Sequence, residues 1–271
     1  MAPDALYVAS RRALLDVLEA LGTQRESLVL IGAQAIYLHA PADDLAVAPT
    51  TTDADLGLDP DLLADSPLLE ERLLAAKFGP TREPGIWMSP YGSTVDLIVP
   101  ESLAGSGRRG ARLGVHGDKA ARRAAGIEGC LVDKEVMTIR ALDDDHDRRS
   151  FSIAVAGPAA LIVAKTHKIA GRQDEGRGRL KDKDALDVYR LLRAVEPAVF
   201  SAGFERLLVS DLAAESALSA VRDFEALFAE SAGVGVDTAV RATELLIPEA
   251  EIRAALPLLA QDLLRAAGEA A

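Results

Sequence analysis

Three aspartates carry the spacing best suited to chemistry. Asp53 and Asp55 stand two residues apart in Thr51-Thr52-Asp53-Ala54-Asp55-Leu56-Gly57-Leu58, and Asp96 lies in Ser93-Thr94-Val95-Asp96-Leu97-Ile98-Val99. On a strand, a spacing of two turns both carboxylates to the same face. Three carboxylates converging in apolar surroundings repel one another, and a divalent cation removes that cost. Magnesium prefers a few carboxylates completed by water and substrate phosphates, which makes metal-assisted phosphoryl chemistry the natural use of such a trio. An Asp-x-Asp pair alone is more often the solvated face of an edge strand. What adds weight is the order of parts: an apolar run Leu28–Ile31, a break at Gly32, a helical stretch from Ala33 to His39, the paired aspartates, then Asp96. A helix that starts just after a strand presents bare backbone N–H groups, here at Gly32 and Ala33, and those attract phosphate.

The elements that must position these residues read as follows. Apolar spacing predicts helices over 5–21 and 62–78, and strands at 28–31, 53–58, 86–88 and 94–99, the last two forming a hairpin through Pro90-Tyr91-Gly92. The Gly- and Arg-rich stretch 105–117 reads as a loop and 118–125 as a short helix. Strands are expected near 136–142 and 151–155, joined by an acidic turn at 143–147. After Gly157-Pro158 the pattern turns helical, with helices near 158–171, 181–194, 204–229, 236–244 and 248–267 and a charged loop at 171–178. The expected class is α+β: a mixed sheet with flanking helices over 1–156, then a C-terminal helical region over 157–271.

In that helical region Lys165, Lys168 and Arg172 share one helical face, and Asp184 and Asp187 follow at a spacing of three. A cationic wall over phosphates and an ordinary solvated face both fit this pattern. Other signals fall away. Gly105-x-Gly107-x-x-Gly110 neither follows a strand directly nor opens a helix, so it is not a dinucleotide turn. The stretch from Asp53 lacks the glycine position and the final glutamate of a calcium loop. The four histidines have no zinc-ligand spacing. Cys130 has no local partner and reads as a small buried residue.

Taken together, these motifs resemble the DNA polymerase β-like nucleotidyltransferase superfamily. The second half, around Lys165 to Leu192, is similar to the later motifs of the AbiEii-type nucleotidyltransferase toxins. Lys165 and Arg172 match one motif; Lys183, Asp184 and Asp187 match the next; Thr51, Asp53 and Asp55 match the family's Thr-x-Asp-x-Asp. The resemblance covers roughly 25–195. It implies that Asp53, Asp55 and Asp96 bind Mg2+. It also implies that Gly32, Ala33, Thr51, Lys165 and Arg172 bind a nucleoside triphosphate, and that Asp184 takes part in catalysis or holds Lys165 or Arg172. The implied activity moves a nucleoside monophosphate to an acceptor, which could be tRNA, and the implied partner is an antitoxin. The chain departs from the superfamily at the turn, where Ala33 replaces a second glycine or a serine. Ala48-Pro49 also stands where an arginine often precedes the Thr-x-Asp-x-Asp stretch.

Composition limits the acceptor. The net charge is −12, which disfavours a general nucleic-acid binder, because phosphate contacts need cations. Two basic segments stand out: 105–123, with six bases and one acid, and 165–183, with seven bases and three acids. The arginines of the first are a candidate track for RNA. An aminoglycoside-type small-molecule acceptor suits the acidic balance, and a non-catalytic module that only holds a nucleotide or a partner is the reading from another class. One cysteine, no long apolar run and no leader-like start point to a soluble cytoplasmic protein.

Overall fold

The computed structural model describes residues 4–41, 45, 47–143, 145–174, 182–243 and 246–270. They form an α+β fold with a mixed open sheet and a helical C-terminal half. Two compact units result. The first comprises 1–35, 49–127 and 134–156; the second comprises 36–48, 128–133 and 157–271. Residues 36–48 and 128–133 thus group with the helices, although both segments precede Gly157 in the chain.

The first unit opens with α1 (Ala5–Leu21). Asp4 caps it by accepting from the N–H of Leu6 and Tyr7, at 2.9 and 3.2 Å, and Gly22 ends it. Its apolar stripe, including Leu14, Leu18 and Leu21, is fully buried, and α1 packs against β2 (Asp53–Leu58) and β5 (Thr94–Pro100). The remaining strands are β1 (Leu28–Ile31), β3 (Gly79–Pro80), β4 (Ile86–Met88), β6 (Arg122–Ala124), β7 (Lys134–Arg140) and β8 (Ser150–Ala156). The sheet runs β3-β4-β5-β2-β1-β8-β7, with β6 paired to β5 off that path. β2–β5, β1–β8 and β5–β6 are parallel; the other pairs are antiparallel. The short α2 (Gly32–His39) begins where β1 ends.

Two sequence expectations in this unit fail. The helix expected over 62–78 is only α3 (Leu69–Ala75). Pro67 has no N–H to give and steers Ser66 away from helical angles, and Gln24 claims the intervening backbone by donating to the carbonyls of Ala64 and Pro67 at 2.7 and 2.9 Å. The helix expected over 118–125 is instead β6. β4 covers β5 only from Thr94 to Asp96, so the edge of Ile98–Pro100 would lack partners; β6 supplies them. Pairing of an exposed edge outweighs modest helix propensity.

The second unit contains α4 (Pro158–Asp174), α5 (Asp182–Ala194), α6 (Pro197–Leu208), α7 (Ala214–Phe228), α8 (Val234–Ala242) and α9 (Glu249–Glu269). The single helix expected over 204–229 is two, α6 and α7, parted at Val209-Ser210-Asp211, whose branched and short polar side chains favour a turn. The loop expected at 171–178 is helical as far as Asp174; Lys181 and residues 175–180 lie outside the described residues. Phe200, Phe204, Phe224, Phe228 and Tyr189 are fully buried in this unit. Among the described residues no helix is long and apolar enough to cross a membrane.

Candidate active site

The site begins with strand register. β2 and β5 are parallel neighbours, with Asp55 opposite Asp96 and Asp53 opposite Thr94. Ala54, Leu56, Val95 and Leu97 are buried on one face, so alternation places Asp53, Asp55 and Asp96 together on the other, which is partly open. Adjacent strands lie about 4.8 Å apart, so Asp55 and Asp96 are side by side.

Glycine shapes the turn beside them. Gly32 has φ +68, and a Cβ there would overlap Asp55 Oδ2. Only a residue without a side chain lets the Asp55 carboxylate lie against the strand-to-helix turn. Ala33, the next residue, is buried. Thr51 is buried and donates its hydroxyl to Asp53 Oδ1 at 2.7 Å. Its contact is thus with a carboxylate, where the resemblance implies nucleotide binding. Beneath the turn, buried Gln34 donates to the Asp53 carbonyl at 3.1 Å and accepts from Arg11 Nε at 2.8 Å. Arg11 also donates to the Arg140 carbonyl and to the Tyr7 hydroxyl. This network ties α1, α2, β2 and β7 together around the site, and sequence reasoning has no signal for it beyond polar residues on apolar faces.

Electrostatics single out Asp96. Burial, followed by the neighbouring charge of Asp55, pushes its carboxyl up to about 6; Arg122 works in the opposite direction, and Asp53 adds a further upward push. Nε and Nη2 of Arg122 both donate to Asp96 Oδ2, at 3.1 and 3.0 Å. Sequence spacing assigns Arg122 to the RNA track; the structure gives it to Asp96. Other members of that track are also engaged. Arg109 pairs with Glu83 at 2.8 Å, and Arg123 donates to the Gly107 carbonyl and meets Glu101 at 3.3 Å. Arg108 and Arg112 are exposed.

The donor set suits a hard cation: carboxylate oxygens on one face, one of them raised in pKa by burial and by the crowding of like charge. The side chains are not yet gathered, however. Among the described residues no three His, Cys, Asp or Glu side chains stand close enough to hold a metal ion.

The second unit holds the other predicted residues. Lys165 is buried, and its Nζ donates to Asp184 Oδ1 and to Asp187 Oδ2, both at 2.7 Å. Burial opposes its charge, but Asp187 and Asp184 outweigh that and hold it above the ordinary lysine range. Lys168 approaches Asp184 at 3.3 Å, and Arg172 donates to its other oxygen. Burial works against the Asp184 charge too, yet Lys165, Lys168 and Arg172 keep its carboxyl below the usual range. The expected cationic wall is therefore a clasp between α4 and α5. Its lysine nearest the carboxylates has a side chain 6% exposed, against 44% for Lys168. Sequence reasoning also misses Asp133, which is buried, accepts from the N–H of Ala160 at the start of α4 and pairs with Arg206 at 2.7 Å. No protein-family model, curated protein or solved structure matches the chain.

Proposed function

We propose that the chain is a magnesium-dependent nucleotidyltransferase. The observation that carries this reading is the pairing of Asp55 with Asp96 across parallel strands, with Asp53 on the same face and the Gly32 turn against Asp55. Asp53, Asp55 and Asp96 would hold Mg2+, which supplies charge neutralisation to a bound triphosphate. The N–H groups that open α2, at Gly32 and Ala33, are aimed by helix geometry at anionic oxygen. Thr51 orients Asp53 rather than touching the nucleotide. In the transfer, an acceptor hydroxyl oxygen bonds to the α-phosphorus while the bond from that phosphorus to the bridging oxygen of the β-phosphate breaks. Pyrophosphate leaves with that oxygen, and the hydroxyl proton passes to Asp96.

Lys165, Arg172 and Asp184 enter this reading as positioning residues of the helical unit. Their mutual ion pairs support that role better than direct contact with phosphate. The acceptor most in keeping with the motifs is tRNA, and the cellular role is that of a toxin held in check by a cognate antitoxin protein.

The test is a labelling experiment. The protein is incubated with each α-labelled triphosphate and Mg2+, with either total RNA or aminoglycosides present. Labelled RNA supports the proposal, and a labelled aminoglycoside moves the assignment to small-molecule transfer. Asp53→Ala and Asp55→Ala should each abolish labelling, since loss of metal removes several kcal/mol of transition-state stabilisation and about 1.4 kcal/mol is tenfold in rate. Near-normal labelling by either variant removes the trio from the mechanism.

A further inference from the structure

Asp96 faces two competing neighbours. On one edge of β5 lies β2, carrying Asp53 and Asp55; on the other edge lie β4 and then β6, carrying Arg122. Arg122 therefore reaches Asp96 from the side away from the other two carboxylates. Both of its donors fall on the same oxygen, Oδ2, in a charge-assisted contact that is among the stronger hydrogen bonds a carboxylate makes. Asp55 and Asp96 are in register on one face, and among the described residues no three carboxylates are gathered to hold an ion. The backbone fixes Arg122 in this position. Gly85, at the junction of β4 and β6, has φ +74, and a Cβ there would overlap the backbone nitrogen of Arg122, so the close approach of β6 to this junction depends on that glycine.

We propose that Arg122 is a latch on the metal site: in the metal-free protein its guanidinium holds Asp96 toward β6, and a divalent cation must displace that contact to bring Asp96 to Asp53 and Asp55. The inference rests on the metal-site reading above. It adds that metal loading and the Arg122–Asp96 pair exclude each other. Arg122 therefore weakens metal binding, the reverse of what a residue that orients a ligand for the metal would do. An arginine in this place also offsets the charge of Asp96 when no cation is bound.

The experiment measures Mn2+ binding to the full chain without nucleotide, by electron paramagnetic resonance of the free ion. Arg122→Ala and Arg122→Gln should each tighten Mn2+ binding by roughly tenfold, the scale of losing one charge-assisted contact. Arg122→Lys, which keeps the charge, should stay near wild type. The glutamine variant fills the same space, so it decides the matter if the alanine variant folds poorly. Unchanged or weaker binding in the glutamine variant overturns the latch. Asp55→Asn separates the two claims: if it leaves Mn2+ binding intact, the metal-site reading fails; if it abolishes binding while Arg122→Gln changes nothing, only the latch fails.

Discussion

Asp96 places a measurable signature on the metal-free protein. Its carboxyl is pushed up to about 6 by burial and by Asp55, whereas an unfolded aspartate titrates near about 3.9. The folded chain therefore holds this proton more tightly than the unfolded chain between those values. Stability contributed here is fully present at pH below about 4, falls as pH rises through about 6, and is level above that. The loss is on the order of 2–3 kcal/mol. An asparagine in this place has no proton to lose. The Asp96→Asn variant should therefore gain roughly that much relative to wild type as pH rises from about 4 to about 7. Urea unfolding in the presence of chelator measures it, and a wild-type-to-variant difference that does not move with pH would contradict the buried, charge-crowded placement of Asp96. Part of this is readable from residue types. An aspartate inside Val95-Asp96-Leu97-Ile98 implies a carboxylate at the margin of a core, and the pairing of Asp53 with Asp55 follows from strand alternation. The partner that tempers Asp96 is not readable, because Arg122 reaches it across strand pairing that depends on the edge left by β4, a feature of no local pattern.

Among the elements, two make predictions. The turn from β1 to α2 needs glycine twice over, for its positive φ and for the Asp55 carboxylate against it. Gly92 has φ +86 with nothing near its missing side chain, so it offers a comparison with backbone strain alone. Gly92→Ala should cost about 1 kcal/mol and leave Mn2+ binding unchanged; Gly32→Ala should cost more, about 2–4 kcal/mol, and weaken Mn2+ binding by moving Asp55. Equal effects on stability and none on the metal would show that Asp55 is indifferent to the turn. The clasp between α4 and α5 behaves differently. Removing Lys165 leaves Asp184 and Asp187 buried with much of their charge uncompensated, so Lys165→Ala should cost about 3–5 kcal/mol. Lys168 is more exposed, and Lys168→Ala should cost under about 1 kcal/mol. Chemical denaturation reads both, and equal losses would indicate a diffuse cationic face. Spacing alone places Lys165, Lys168 and Arg172 on one face; which of them is buried depends on where α5 lies, and that is set by tertiary packing. Strands β1, β2, β4 and β5 are legible because short apolar or alternating runs bounded by turn residues mark them. The shortening of α3 is marked locally by Pro67, a breaker inside the expected helix, with Gln24 acting from a distance; the strand β6 is not marked, because the open edge of β5 decides it from a distance.

For the whole molecule, charge governs what can approach. The chain carries −12, and from Glu196 onward thirteen acids stand against five bases. An RNA acceptor must therefore be met by a local basic surface. Of the five arginines in the candidate track, Arg122 is held by Asp96 and Arg123 by Gly107 and Glu101, while Arg109 is in an exposed pair with Glu83 that solvent and a phosphate can readily open. Arg108 and Arg112 are the exposed members best placed to meet phosphate. Replacing both by Ala should weaken binding of total tRNA and reduce the slope of log affinity against log salt by roughly one to two units, since each lost phosphate contact releases fewer counterions. Arg123→Ala should leave the slope unchanged. Triphosphate binding should survive in both the double variant and Arg123→Ala, because the proposed function assigns it to the carboxylates and the Gly32 turn. A cationic aminoglycoside gains nothing from arginines, so if that is the acceptor the double variant should transfer as well as wild type or better. Binding measured at two salt concentrations decides between them: an unaltered slope in the double variant, with RNA still labelled, would place the RNA track on another surface of the protein.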